Sequence, residues 1–160
     1  MDFETAFDKL MEHEGFYSDN PSDPGRKTTW GVTEAVARAH GYTGEMRDMP
    51  KAFARQVYRG SYWDAVKADQ LPPAVRFHVF DAAVNSGATQ SIKWLQQAAN
   101  VTADGVLGPA TLKACTFTPA SALVARFNGL RLQFLTGLKT WSVFGAGWAR
   151  RVAKNLLDVT

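Results

Sequence analysis

Pro72-Pro-Ala-Val-Arg-Phe-His-Val-Phe-Asp-Ala-Ala-Val-Asn-Ser-Gly87 opens on two prolines and closes on a glycine, the punctuation of a helix start and stop. Between them Val75, Phe77, Val79, Phe80, Ala82, Ala83 and Val84 occupy nearly every face of the helix. A helix that is apolar all round belongs at the centre of a fold, so the rest of the chain must wrap it. The flanking sequence supplies helices to do so. Phe3, Ala6, Phe7, Leu10 and Met11 recur at i, i+3, i+4, i+7 and i+8, an amphipathic stripe that Gly15 stops. Thr33 caps a predicted helix to His40, with Gly41 after it, and Asp48-Met-Pro50 opens one that carries Phe53, Val57 and Tyr58. Downstream, Ile92, Trp94, Leu95, Ala98 and Ala99 predict a helix up to Asn100. Pro109 starts a short one to Cys115, and Pro119 a long one through Leu123, Phe127, Leu130, Phe134 and Leu138. The last is expected from about Ala146, with Trp148, Val152 and Leu156 four apart.

One stretch breaks this rhythm. Residues 15 to 32 are rich in turn formers, Asp19-Asn-Pro21 and Asp23-Pro-Gly25, and predict an irregular loop or small hairpin after the first helix. The expected class is therefore mainly α, with that small insertion. No repeat or low-complexity linker interrupts the chain. Its weakest boundary, between Gly87 and Gly108, separates a lobe of residues 1–86 from one of residues 87–160, packed as one compact unit.

Composition narrows the function classes. The 160 residues suffice for a single core, and 46% are hydrophobic, which excludes a disordered chain. The formal charge of +3 suits a polyanionic target, but no Lys/Arg run marks a nucleic-acid arm. The single cysteine, Cys115, forms no internal disulfide and reads as a small buried apolar residue. The three histidines lack metal-ligand spacing, and no Gly-rich phosphate loop occurs, so neither metal nor cofactor is expected. Met1-Asp-Phe-Glu is not the start of a signal peptide, and no stretch is apolar enough to span a membrane. Synthesis in the cytoplasm is expected, as a monomer without stable membrane insertion.

The chemistry-bearing residues gather around the turn-rich stretch. Glu14 continues the apolar stripe of the first helix, and a carboxyl in such a place is kept protonated by partial burial. Asp23, nine residues on, lies among turn formers and stays ionised; Thr29, fifteen on, carries a hydroxyl able to orient a water. A protonated and an ionised carboxyl together are what glycosidic bond cleavage needs. The same residues also serve as a solvated helix end, a turn and a strand, so spacing alone leaves both readings open. Aromatic residues favour the first. Tyr17, Trp30, Tyr62 and Trp63 fall in or beside loops and are candidates to stack on sugar rings. Asn85, at the end of the apolar helix, is a candidate for an N-acetyl group, or alternatively a helix cap.

Glu14-Gly-Phe-Tyr17, Asp19-Asn-Pro-Ser-Asp-Pro-Gly25, Thr29-Trp-Gly-Val-Thr33, Ala39-His-Gly-Tyr-Thr-Gly44, Tyr62-Trp63 and Phe80-Asp-Ala-Ala-Val-Asn-Ser-Gly87 resemble, in order, the signature of the glycoside hydrolase family 108 N-acetylmuramidases. Trp94-Leu-Gln96, Asp104-Gly-Val-Leu-Gly-Pro109 and Phe144-Gly-Ala-Gly-Trp148 continue the likeness to the peptidoglycan-binding region that accompanies the family. The sequence departs from the family in carrying Phe16 where a glycine is usual, and Pro24-Gly-Arg-Lys-Thr-Thr29 for Pro-Gly-Gly-Ala-Thr-Asn. The resemblance implies a lysozyme-like helical fold, with Glu14 as the catalytic acid. It implies cleavage of peptidoglycan after N-acetylmuramic acid, as in phage or prophage endolysins that reach the periplasmic wall through a separate pore-forming protein. A lytic transglycosylase and a non-catalytic wall-binding or secretion-assisting protein are the alternatives.

Overall fold

The computed structural model describes residues 1–12, 16–19 and 27–158. Glu14 and Asp23 lie outside the described residues, as does His13. The described chain is mainly helical with a small antiparallel sheet after the first helix, the lysozyme-like class read from the sequence. It divides into two compact units, Asp2–Asp64 and Ala65–Thr160, Met1 counting with the second. The division falls ahead of the central apolar helix, whereas the boundary drawn from sequence falls behind it.

In the first unit, α1 (Phe3–Met11) starts where the Asp2 carboxylate accepts the Thr5 amide, and buries Phe3, Ala6, Phe7 and Leu10. The sheet follows as β1 (Tyr17–Asp19), β2 (Lys27–Thr29) and β3 (Val32–Thr33), in that order and antiparallel. Trp30 and Gly31 make the β2–β3 turn with φ of +51° and +74°, the pair of positive values that a tight hairpin demands. Thr33 then caps α2 (Glu34–Ala39), its hydroxyl accepting from the Val36 amide, as its position after a turn predicts. A short turn of helix at Met46–Asp48 leads to α3 (Lys51–Tyr58), and Arg59–Trp63 continues it in a wider, π-type turn.

In the second unit, α4 (Pro73–Ser86) is the central helix that its sequence demands: Val75, Phe77, Val79, Phe80, Ala82 and Ala83 have no exposed surface. It packs on α5 (Ala88–Ala98) and α7 (Ala120–Thr136). Gly87 turns the chain between α4 and α5 at φ +85°, and the Ser91 hydroxyl donates to the Val79 carbonyl to hold the two together. Two polar knots tie in the remaining helices, α6 (Pro109–Phe117) and α8 (Trp141–Asp158). In the first, the buried Gln96 amide donates to the Asp104 carboxylate at 2.7 Å, to the Val106 carbonyl and to the Thr111 hydroxyl of α6 at 3.2 Å, and accepts from the Gly105 amide. In the second, the Asp81 carboxylate of α4 accepts from Arg131 of α7 at 2.7 Å and from Arg151 and Asn155 of α8 at 2.8 Å each. Asp81, Arg131 and Asn155 are buried, so the ion pairs are shielded from water.

Helix α8 begins five residues earlier than its sequence predicts. Gly145, just ahead of the expected start, lies inside the helix and is buried under the Trp141 ring, where a Cβ would fall 2.4 Å from a ring carbon. Cys115 is buried as expected, and burial pushes its thiol up to about 11. Among the described residues no helix is long and apolar enough to cross a membrane.

Candidate active site

The small sheet places Tyr17, Thr29 and Trp30 together in the first unit. Tyr17 and Thr29 are directly opposite on β1 and β2, and Trp30 follows at the turn. Trp30 has a bulky side chain in the left-handed backbone region, a strained conformation that its surroundings must impose. They do so at three points. The Trp30 amide donates to the Phe16 carbonyl, the indole Nε1 donates to the Met49 carbonyl at 3.1 Å, and the Phe16 ring meets the indole edge-on at 4.7 Å. Phe16 is 52% exposed. The residue that departs from the family pattern thus forms, with half-buried Trp30, an aromatic pair two residues from Glu14 in sequence.

Thr29 plays a different part from the one its spacing invites. Its side chain is buried, and its hydroxyl donates to the Met46 carbonyl at 2.6 Å. A hydroxyl committed in this way fixes β2 against the Met46–Asp48 turn, and Thr29 has no exposed surface for a water to reach. Replacing Thr29 by Val strands the Met46 carbonyl without its donor, at a cost of about 1–3 kcal/mol. Activity is expected to fall in step with the melting temperature. A rate loss beyond the stability loss, measured on the same preparation, would return the hydroxyl to a chemical role.

The other candidates separate by exposure. Tyr17 is half-buried, with the Arg47 guanidinium 5.0 Å from the ring centroid on one face. Tyr62, on the π-type turn, is half-buried against Tyr58, and burial pushes its phenol above the ordinary value. Trp63 does not fit the stacking role: it has no exposed surface and lies in the core, edge-on to Phe3 at 5.6 Å. Its neighbours in sequence are loop-like, but the π-type turn rotates the ring inward, so no ring face is left for a sugar. Asn85 belongs to the second unit. It is exposed, and its Nδ2 donates to the Asp81 carbonyl one turn back on α4, which is the capping use of the side chain.

Sequence reasoning did not find Lys27, Glu45, Arg47 and Asp48, which line a cavity with Tyr17 and Asp19. No motif marks them; the Met46–Asp48 turn reaches the sheet through the Thr29 bond, which links residues 17 apart. In the second unit, Trp94 is buried, whereas Trp141, Phe144 and Trp148 form a ring cluster along α8 with part of its surface exposed. The Asp104 carboxylate is engaged by Gln96 and by the Val106 amide, which hold it below the ordinary carboxylate range. The turn from Asp104 to Thr111 is therefore bonded to its own unit. Among the described residues no group of three or more His, Cys, Asp or Glu side chains is placed to hold a metal ion.

Comparison with known proteins bears on this site directly. The sequence model of the family described as glycosyl hydrolase 108 matches residues 7–87, a span that contains Glu14, Asp23 and Thr29. The solved structure of Brucella abortus SagA is similar with a TM-score of 0.86 and 35% sequence identity, over 96% of this chain and 90% of that one. No curated protein matches the sequence significantly.

Proposed function

The chain belongs to the glycosyl hydrolase 108 family, and from that premise we propose that it is a peptidoglycan hydrolase, an N-acetylmuramidase that cuts the β-1,4 bond between N-acetylmuramic acid and N-acetylglucosamine. The observation that carries this reading is the family match over residues 7–87, with the family's glutamate present as Glu14. Glu14 protonates the leaving oxygen as the glycosidic bond breaks, and Asp23 serves as the ionised partner for the positive charge that develops on the sugar. Thr29 positions the sheet. Tyr17, Trp30 and Tyr62 are the aromatic candidates for sugar contact. In the second unit, wall contact is assigned to Trp141, Phe144 and Trp148, whose partial exposure supports it.

The biological setting we propose is lysis of a bacterial host by a phage or prophage endolysin. The enzyme acts on the periplasmic wall after a separate pore-forming protein releases it. Purified protein added to outer-membrane-permeabilised Gram-negative cells is expected to clear the suspension. Folded protein that binds the walls without clearing them would contradict a hydrolase and leave a wall-binding protein.

A further inference from the structure

In the first unit a cavity of about 320 Å³ opens between the β1–β2 ladder and the Met46–Asp48 turn. Among the described residues, its walls carry charge of both signs: Lys27 and Arg47 against Asp19, Glu45 and Asp48. Asp19 and Lys27 face each other across the ladder, where a cross-strand ion pair would form readily. Yet among the described residues none of the five charged groups makes an ion pair or a side-chain hydrogen bond. Elsewhere in the same unit, comparable surface charges do pair, as in Lys51 with Asp8 and Arg38 with Glu34. Arg47 instead lies over the Tyr17 ring, which orients its guanidinium without consuming its hydrogen-bond donors.

Carboxylates and guanidiniums also bond sugar hydroxyls, but a neutral sugar leaves the charges of two cations and three carboxylates uncompensated. The arrangement fits a molecule that itself carries carboxylate and ammonium groups. Arginine binds a carboxylate through two parallel N–H bonds, and a carboxylate cluster takes an ammonium. The volume is at the lower end for ligand pockets, enough for one or two amino-acid residues. We propose that this cavity binds the zwitterionic stem peptide of peptidoglycan. Arg47 and Lys27 take its carboxylates, and Asp19, Glu45 and Asp48 take the ammonium of its diamino acid. The assignment rests on the peptidoglycan reading above and adds to it a preference for glycans that keep their stems.

Kinetics on stem-bearing glycan oligomers and on the same oligomers stripped by an amidase test this. For the wild type, KM is expected to be about tenfold lower on stem-bearing chains, as one well-placed charged contact provides. Arg47→Ala and Lys27→Ala should each remove most of that advantage, leave kcat and the stripped substrate unchanged, and keep the melting temperature. Arg47→Lys should recover part of it. Equal KM for both substrates in the wild type, or equal losses on both in the variants, would overturn the proposal. Titration of the free tripeptide L-Ala-D-Glu-meso-diaminopimelate reads the cavity separately. Saturable binding that Arg47→Glu abolishes supports it even if neither glycan is cleaved, an outcome that would sink the hydrolase reading alone. Saturable binding that Arg47→Glu leaves unchanged would overturn it.

Discussion

Glu14→Gln leaves the protein folded and lowers its lytic rate by about 10²–10⁴-fold, the contribution of a general acid. The amide has the size of the carboxyl and accepts the same hydrogen bonds, but it has no acidic proton to give the leaving oxygen. The fold does not depend on the charge, because α1 is held by Phe3, Ala6, Phe7 and Leu10 and ends at Met11, ahead of Glu14. Unchanged circular dichroism and melting temperature together with the rate loss are the expected result. A folded Glu14→Gln protein that keeps more than about a tenth of the rate would remove Glu14 from the mechanism.

The largest stability loss is expected at Asp81, where one carboxylate serves three partners on two other helices. Asp81→Asn keeps the shape and removes the charge, so the Arg131 and Arg151 guanidiniums lose their counter-charge in a site that water does not reach freely. Breaking a buried pair in this way costs about 3–5 kcal/mol, a fall in melting temperature on the order of 10 °C for a domain this size. A variant within about 1 kcal/mol of the wild type in urea unfolding would show that α7 and α8 are held by packing alone. The same site sets a pH dependence. Burial by itself raises the Asp81 carboxyl, but Arg131 and then Arg151 outweigh it and hold the group below the ordinary carboxylate range. A carboxyl lowered by folding stabilises the folded state fully above its unfolded value of about 3.9, and that stability drains away as pH falls through the lower folded value. Stability is therefore expected to be insensitive to Asp81 near neutrality and to decline in acid; in Asp81→Asn this part of the decline is absent.

What was legible in the sequence was what local rules decide. The stripe from Phe3 to Leu10, the Thr33 cap and the prolines at Pro73 and Pro109 placed their helices, because periodicity and capping act within a few residues. The all-round apolar run from Val75 to Val84 showed that α4 is central for the same reason. What was not legible depends on partners far along the chain. Asp81 looks like one polar residue in an apolar helix, and its partners are 50, 70 and 74 residues away. Thr29 and Trp63 were read by residue type as site groups, and burial gives them structural work. The start of α8 was placed at about Ala146, five residues late, because no local rule shows that Gly145 sits against the Trp141 ring, which leaves no room for a side chain. The charged cavity had no signature at all, since Lys27 and Arg47 are brought together by a hairpin and a turn whose contact no spacing announces. Glu14 and Asp23 remain assigned by sequence and family; the described residues near them along the chain are Phe16, two from Glu14, and Asp19 and Lys27, each four from Asp23.

Mass spectrometry of the fragments released from purified Gram-negative sacculi tests the muramidase claim most directly, because each kind of bond cleavage leaves its own chain end. The account predicts soluble muropeptides that end in a reducing N-acetylmuramic acid, with one water added per cut, released about 10²–10⁴-fold more slowly by Glu14→Gln. Fragments ending in 1,6-anhydro-N-acetylmuramic acid, or in a reducing N-acetylglucosamine, would contradict it.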